Sequence, residues 1–123
     1  MLTRKFAIAV FSAVVVASAA LAHAPEKGKN GGQQVDAGNY HVEAVPKGNT
    51  LDVYIRDHDD KAVSTKGFKG TAILIVKGKP AQITLAPRGE NVLTGTSPVE
   101  LAATIRGAIQ ITNNDNQTVQ AKF

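Results

Sequence analysis

Apolar and polar positions follow two regimes along the chain. Phe6 to Val16 form an almost unbroken apolar run, preceded by Arg4 and Lys5 and followed by small residues. From Gln33 onward, apolar residues come in short runs rich in Val, Ile, Leu, Thr and Tyr, separated by Gly, Pro, Asn and Asp clusters. Turn signals at roughly 8 to 12 residue spacing predict an all-β protein, a single antiparallel β-sandwich of about seven strands, Ig-like in architecture.

The clearest unit is YHVEAVPKGNTLDVYIRD, Tyr40 to Asp57. Tyr40 to Ala44 and Leu51 to Ile55 alternate apolar and polar residues, as strands with one buried and one wet face do. A four-residue loop, Pro46 to Asn49, would pair Val45 with Thr50, Ala44 with Leu51 and Val42 with Val53, setting apolar side chains opposite each other. Further runs are Thr71 to Val76, Ala81 to Ala86, Val92 to Thr94, Leu101 to Thr112 and Thr118 to Phe123. VKGKPAQ reads as a hairpin turn and TNNDNQ as a polar loop before the last strand. Leu101 to Thr112 is long for one strand, and Gly107 marks a candidate bulge or bend. Its first half could instead hold a short helix capped by Ser97 with Glu100 three residues on, but the β-rich context favours strand. Phe123 is expected to point inward, because runs this short cannot supply the eight or more long strands of a membrane barrel.

The N-terminal pattern of basic residues, apolar run and small residues is that of a secretory signal peptide. The apolar run is shorter than the roughly 18 to 20 residues of a spanning helix. Cleavage is compatible with Ala20-Leu21-Ala22 or Ala22-His23-Ala24; the second would leave Pro25 at the first mature position, so the first is preferred. Expected boundaries are therefore a signal peptide over 1–22, a flexible arm rich in Pro, Lys, Gly and Asn over 23–32, and a β-domain over 33–123. The destination is the periplasm or the exterior. Without cysteine there is neither a disulfide framework nor a thiolate metal site. The formal charge of +4 falls once Arg4 and Lys5 leave, so the high pI is no argument for nucleic-acid binding. Nor does a chain without Trp offer an evident stacking platform.

Catalytic motifs are missing from the sequence: it has no Gly-x-Ser-x-Gly turn, no His-Glu-x-x-His and no phosphate-cradling glycine loop. The expectation is a non-enzymatic protein. Metal ligation has more support, carried by three histidines. His23 at a mature N-terminus could chelate through its α-amine and imidazole, an arrangement suited to Cu(II) and, less well, Zn(II). In the register above, His41 faces Tyr54 and Glu43 faces Asp52, all on the wet side. A His, a Glu and an Asp on one sheet face are candidate ligands of an open divalent site, although a polar outer face is also what a half-buried strand ordinarily has. RDHDDKAV sets Asp57, His58, Asp59 and Asp60 in a row. It lacks the spacing of a calcium loop, and a plain turn is the better explanation of it. His58 shares the face of His41 but lies four residues further along the pair, roughly 13 Å at strand rise. The two could share an ion only if the Asp57 to Lys61 turn curled back.

The fragments HAPEKGKNGGQQVDAGNYHVE, DVYIRDHDDKAV and VQAKF together resemble small exported domains that accompany heavy-metal efflux systems, including segments of their periplasmic adaptor subunits. The resemblance implies a periplasmic metal-handling role and an efflux-system partner, with His23, Asn30-Gly31-Gly32 and Tyr40-His41-x-Glu43 as matching positions. The architecture is also similar to small copper-binding β-sandwiches whose metal sits at an N-terminal histidine, but this chain lacks their methionine-rich Cu(I) segment, its single Met being the initiator. The resulting expectation is an accessory protein binding Cu(II) or Zn(II) through His23, His41, Glu43, Asp52 and His58. Its rival is a metal-free module that docks by an edge strand or by the loops carrying Lys66, Lys69, Lys77 and Lys79.

Overall fold

The computed structural model describes residues 24–123; the leader and His23 lie outside them. Among the described residues there are nine strands and no helix. They are β1 (Glu26–Lys27), β2 (Gln33–Ala37), β3 (Tyr40–Lys47), β4 (Thr50–Asp57), β5 (Lys69–Val76), β6 (Lys79–Pro87), β7 (Val92–Thr96), β8 (Gly107–Thr112) and β9 (Thr118–Lys122). All pairings are antiparallel, in the order β1-β2-β3-β4-β7-β6-β5-β8-β9.

One sheet runs through all nine strands and curls into a half-barrel around the core. The corner is β6, which pairs with β5 from Lys79 to Leu85 and reaches β7 only at Ala86 and Pro87. At the opposite side the β2–β3 turn and the start of β3 approach β9 and the β8–β9 turn. Asn113 Nδ2 donates to Tyr40 Oη at 3.1 Å, and a Cβ placed on Gly38 would come within 2.6 Å of Val119 Cγ1. The enclosed space is filled by Val42, Leu51, Val53, Ile55, Leu74, Ile83, Leu93, Ile109 and Ile111, none more than 1 % exposed. In β5, β6 and β8 buried and exposed positions alternate, as strands with one wet face require.

Turn chemistry sets the registers. Ala37–Tyr40 and Lys47–Thr50 both close around a two-residue Gly-Asn turn, with Gly38 at φ 56° and Gly48 at φ 59°. A glycine in the left-handed region at the first central position is what a type II′ hairpin turn needs. Lys77 and Gly78 both have positive φ, the type I′ pattern, in the predicted VKGKPAQ hairpin. The predicted TNNDNQ loop joins β8 to β9, with Asn113 Oδ1 accepting the amides of Asp115 and Gln117.

Three readings of the sequence need correction. The β3–β4 loop holds two residues rather than four, so Lys47 faces Thr50, Ala44 faces Val53 and Val42 faces Ile55. This slip of two leaves each residue on its expected face but changes every cross-strand partner. Two strands, β1 and β2, add to the expected seven. Leu101 to Arg106 is neither strand nor helix. Its hydrogen-bonding groups go to scattered partners: Gln33 Oε1 accepts from the Ile105 amide at 2.6 Å, Leu101 N donates to Gly48 O at 2.8 Å, and Arg106 O accepts from Ile75 N at 2.9 Å. Leu101 and Ile105 thereby enter the core from a loop. Gly107, the expected bend, opens β8 at φ 137°, where a Cβ would meet Ile73 O at 2.2 Å.

Residues 26–32, expected as part of a flexible arm, lie against the sheet edge. β1 pairs with β2, and Gly28 N donates to Gly32 O at 2.8 Å, closing a hairpin over Lys29-Asn30-Gly31. This hairpin lies on the outer face of β3: a Cβ on Gly28 would sit 2.1 Å from Glu43 Cδ, and one on Gly32 would be 2.2 Å from Ala44 O. Val42 to Val45 are consequently four successive buried residues, covered on both faces.

Candidate metal centre

The outer face of β2, β3 and β4 next to this hairpin carries the polar chemistry. Asp36 lies opposite His41, which lies opposite Arg56, so three polar side chains cross the sheet in one row. Directly after β4 the chain turns. Asp57 Oδ1 accepts the amides of Asp59 (2.9 Å) and Lys61 (3.0 Å), Asp57 N donates to Lys61 O, and Asp60 takes φ 64°. Asp57 is therefore occupied in shaping the turn, as a short carboxylate bonding its own backbone does.

That turn curls His58 back over β3. The imidazoles of His41 and His58 meet edge to face, with centroids 5.1 Å apart at 89°. His41 Nδ1 is 2.5 Å from Asp36 Oδ1. One potential ligand atom each from Asp36, His41 and His58 lies within 4.8 Å of the others. Two effects bring the histidines together. The corrected register puts Arg56 opposite His41, so His58 is two residues beyond the pair rather than four, and the curl supplies the remainder. The side chain of His41 is 19 % exposed and that of Asp36 65 %, so the cluster opens to solvent on the Asp36 side.

Two imidazoles and a carboxylate make a borderline donor set that suits Zn(II) and Cu(II) and disfavours ions that demand oxygen alone. Asp36 can bind directly, or hold His41 through Nδ1 so that Nε2 faces the ion, the usual carboxylate support of a metal-bound histidine.

Glu43 and Asp52 lie elsewhere, and the proposed wet-face pair of facing carboxylates does not exist. Glu43 faces Tyr54 and Asp52 faces Val45. Glu43 is fully buried beneath the hairpin. Its carboxylate accepts from Asn30 N (2.9 Å), Asn30 Nδ2 (3.0 Å) and Gly32 N (2.9 Å), with Arg56 Nη2 at 3.4 Å. Asp52, 4 % exposed, accepts from Arg88 Nη2 at 2.9 Å and Thr94 Oγ1 at 2.7 Å. Both carboxylates are satisfied by protein donors, as buried charges must be. Asn30 and Gly32 thus act as amide donors to Glu43, and His23 lies outside the described residues.

Around the cluster runs a second set of charges. Arg56, 5 % exposed, donates to Gln34 Oε1 at 2.5 Å. Its Nε has no hydrogen-bond partner among the described residues and faces Asp60 Oδ1 at 3.5 Å. Asp60 Oδ2 is 3.2 Å from Lys29 Nζ. The Lys29 ammonium holds the Asp60 carboxyl below the usual carboxylate range, with smaller contributions from Arg56 and His41.

Asp36, Lys29 and Arg56 were missed in reading the sequence. Asp36 was legible: in DAGNYH a two-residue Gly-Asn turn places Asp36 opposite His41 directly. No family model, curated protein or solved structure matches the chain.

Proposed function

We propose that this chain is an exported, non-enzymatic metal-handling protein that binds a divalent transition metal of the Cu(II) or Zn(II) class at Asp36, His41 and His58. The observation that carries the reading is the convergence of these three side chains from β2, β3 and the turn after β4. His23 is a further ligand in this proposal. β1 runs antiparallel to β2, so going back from Glu26 toward the N-terminus leads along β2 from Gln34 toward Asp36. The leader pattern supports periplasmic or secreted placement, and the resemblance to efflux-associated domains supports a metal-efflux component as partner. In this reading the two halves of the curled sheet serve as the facing layers of an Ig-like sandwich, with the site on an outer face.

Calorimetric titration of the exported protein with Zn(II) and Cu(II) tests the reading. Micromolar or tighter binding is expected, weakened about tenfold or more in His41→Ala and in His58→Ala, because each removes one of few protein ligands. Asp52→Asn, which alters no ligand of the proposed site and whose partners are Arg88 and Thr94, is expected to change affinity far less. Wild-type protein that takes up neither ion would overturn the proposal.

A second reading is favoured by a different surface. Ile73 and Ile75 on β5 are each 50 % exposed and Val99 44 %. Ile75 and Val99 line a groove of about 760 Å³ with Pro80, Pro98 and Leu101, beside Lys77 and Lys79. In this reading the face receives an apolar segment of an envelope protein, with the lysines pairing its acidic residues. Ile75→Asp is then expected to abolish capture of that partner while leaving metal uptake intact.

A further inference from the structure

The arm hairpin and the candidate metal centre are joined by a closed circuit of polar contacts. The hairpin's Asn30 and Gly32 amides bond Glu43. Glu43 meets Arg56 at 3.4 Å, Arg56 faces Asp60 at 3.5 Å, and Asp60 returns to the hairpin through Lys29 at 3.2 Å. Asp60 sits in the same turn as His58, held by the Asp60 N to Asp57 O bond of 3.0 Å. Lys29 therefore ties the arm to the segment that presents a metal ligand.

We infer that the arm hairpin is a latch on the His58 turn, so that docking of the arm and binding of a divalent cation at Asp36, His41 and His58 reinforce each other. The inference rests on the metal-binding reading above. Its physical basis is ordinary linkage: a contact that favours the turn geometry in which His58 faces His41 raises the affinity for an ion needing both, and the ion must favour the contact by the same factor. The device has a function beyond packing, since a partner that lifted the arm from Glu43 would loosen the ion and promote its transfer.

The sign of one substitution separates the latch from plain electrostatics. Lys29→Ala removes a positive charge near a cation site, which by Coulomb attraction alone tightens metal binding. A latch predicts weaker binding. Because the Lys29–Asp60 pair is exposed, the expected loss is modest, about two- to fivefold in Kd. Lys29→Arg should restore most of it, and Asn30→Ala, which changes no charge, should shift affinity in the same direction as Lys29→Ala.

The measurement is Zn(II) titration of wild type, Lys29→Ala, Lys29→Arg and Asn30→Ala, with amide hydrogen exchange at Asn30 and Gly32 in the wild type with and without saturating Zn(II). The latch predicts weakened Lys29→Ala and Asn30→Ala and slower exchange of both amides with zinc bound. If the wild type binds zinc, but Lys29→Ala binds equally or more tightly and exchange is indifferent to the ion, the latch is overturned and the metal site stands. If the wild type binds no zinc, both fall together.

Discussion

Glu43 shows how far the environment of one residue departs from its place in a pattern. In alternation it is an outward polar residue of β3, yet it is fully buried with three hydrogen bonds from the arm and an arginine beside it. Removing one partner of such a pair strands the other charge. Glu43→Ala is therefore expected to destabilise the domain by about 3 to 5 kcal/mol, read from chemical denaturation, with release of the arm. Asp60 behaves differently because it is exposed. Its carboxyl titrates lower in the folded chain than in the unfolded one, so its contribution is present above the ordinary value of 3.8 and is lost as pH falls through the folded value. In acid unfolding, wild type and Asp60→Asn should therefore differ at neutral pH and converge in strong acid; a difference that grew on acidification would contradict the Lys29 contact. At the metal ligands acid acts in one direction, since protons compete with the ion for imidazole nitrogens and bound metal is lost on acidification.

Among the elements, turns decide most of the geometry. Lys77 occupies the left-handed region at φ 51° within a type I′ turn, where a lysine is strained and asparagine or glycine is at ease. Lys77→Asn, creating Asn-Gly, is expected to raise stability by about 0.5 to 1 kcal/mol, visible as a higher denaturation midpoint. Gly48→Ala should lower it by about 1 kcal/mol or more for the converse reason. The same chemistry explains the misread hairpin. Pro46 suggested a loop, but Gly48-Asn49 suffices as a II′ turn, and Pro46 joins β3 opposite Leu51. A loop longer by two residues keeps the faces and loses the partners, which is why strand positions were legible while the proximity of His41 and His58 was not. Leu101 to Arg106 was misread for another reason. Its apolar residues do enter the core, but through a loop held by the Gln33 side chain, a contact that spans 72 residues and leaves no local signature.

For the whole molecule, the curled sheet supplies stability through one shared core. Leu51 and Ile109 are both fully buried within it. Truncating either to alanine is expected to cost about 2 to 5 kcal/mol by lost burial and the cavity left behind, without affecting which ion binds. A loss of metal affinity in such a variant under native conditions would mean that the site is not carried on the outer face as described.

What the sequence by itself determined is what short-range physics encodes: the all-β class from strand-length apolar runs, the β5–β6 and β8–β9 turns from Lys-Gly and the Asn-Asn-Asp-Asn cluster, and which positions of β3 and β4 face the core. The buried state of Glu43 and Asp52, the arm's seat on β3 and the meeting of Asp36, His41 and His58 were decided only by tertiary structure. Each depends on a hairpin register or on a neighbour folded over an outer face. A carboxylate in an alternating strand reads the same whether water or an arginine covers it, and only the fold determines which.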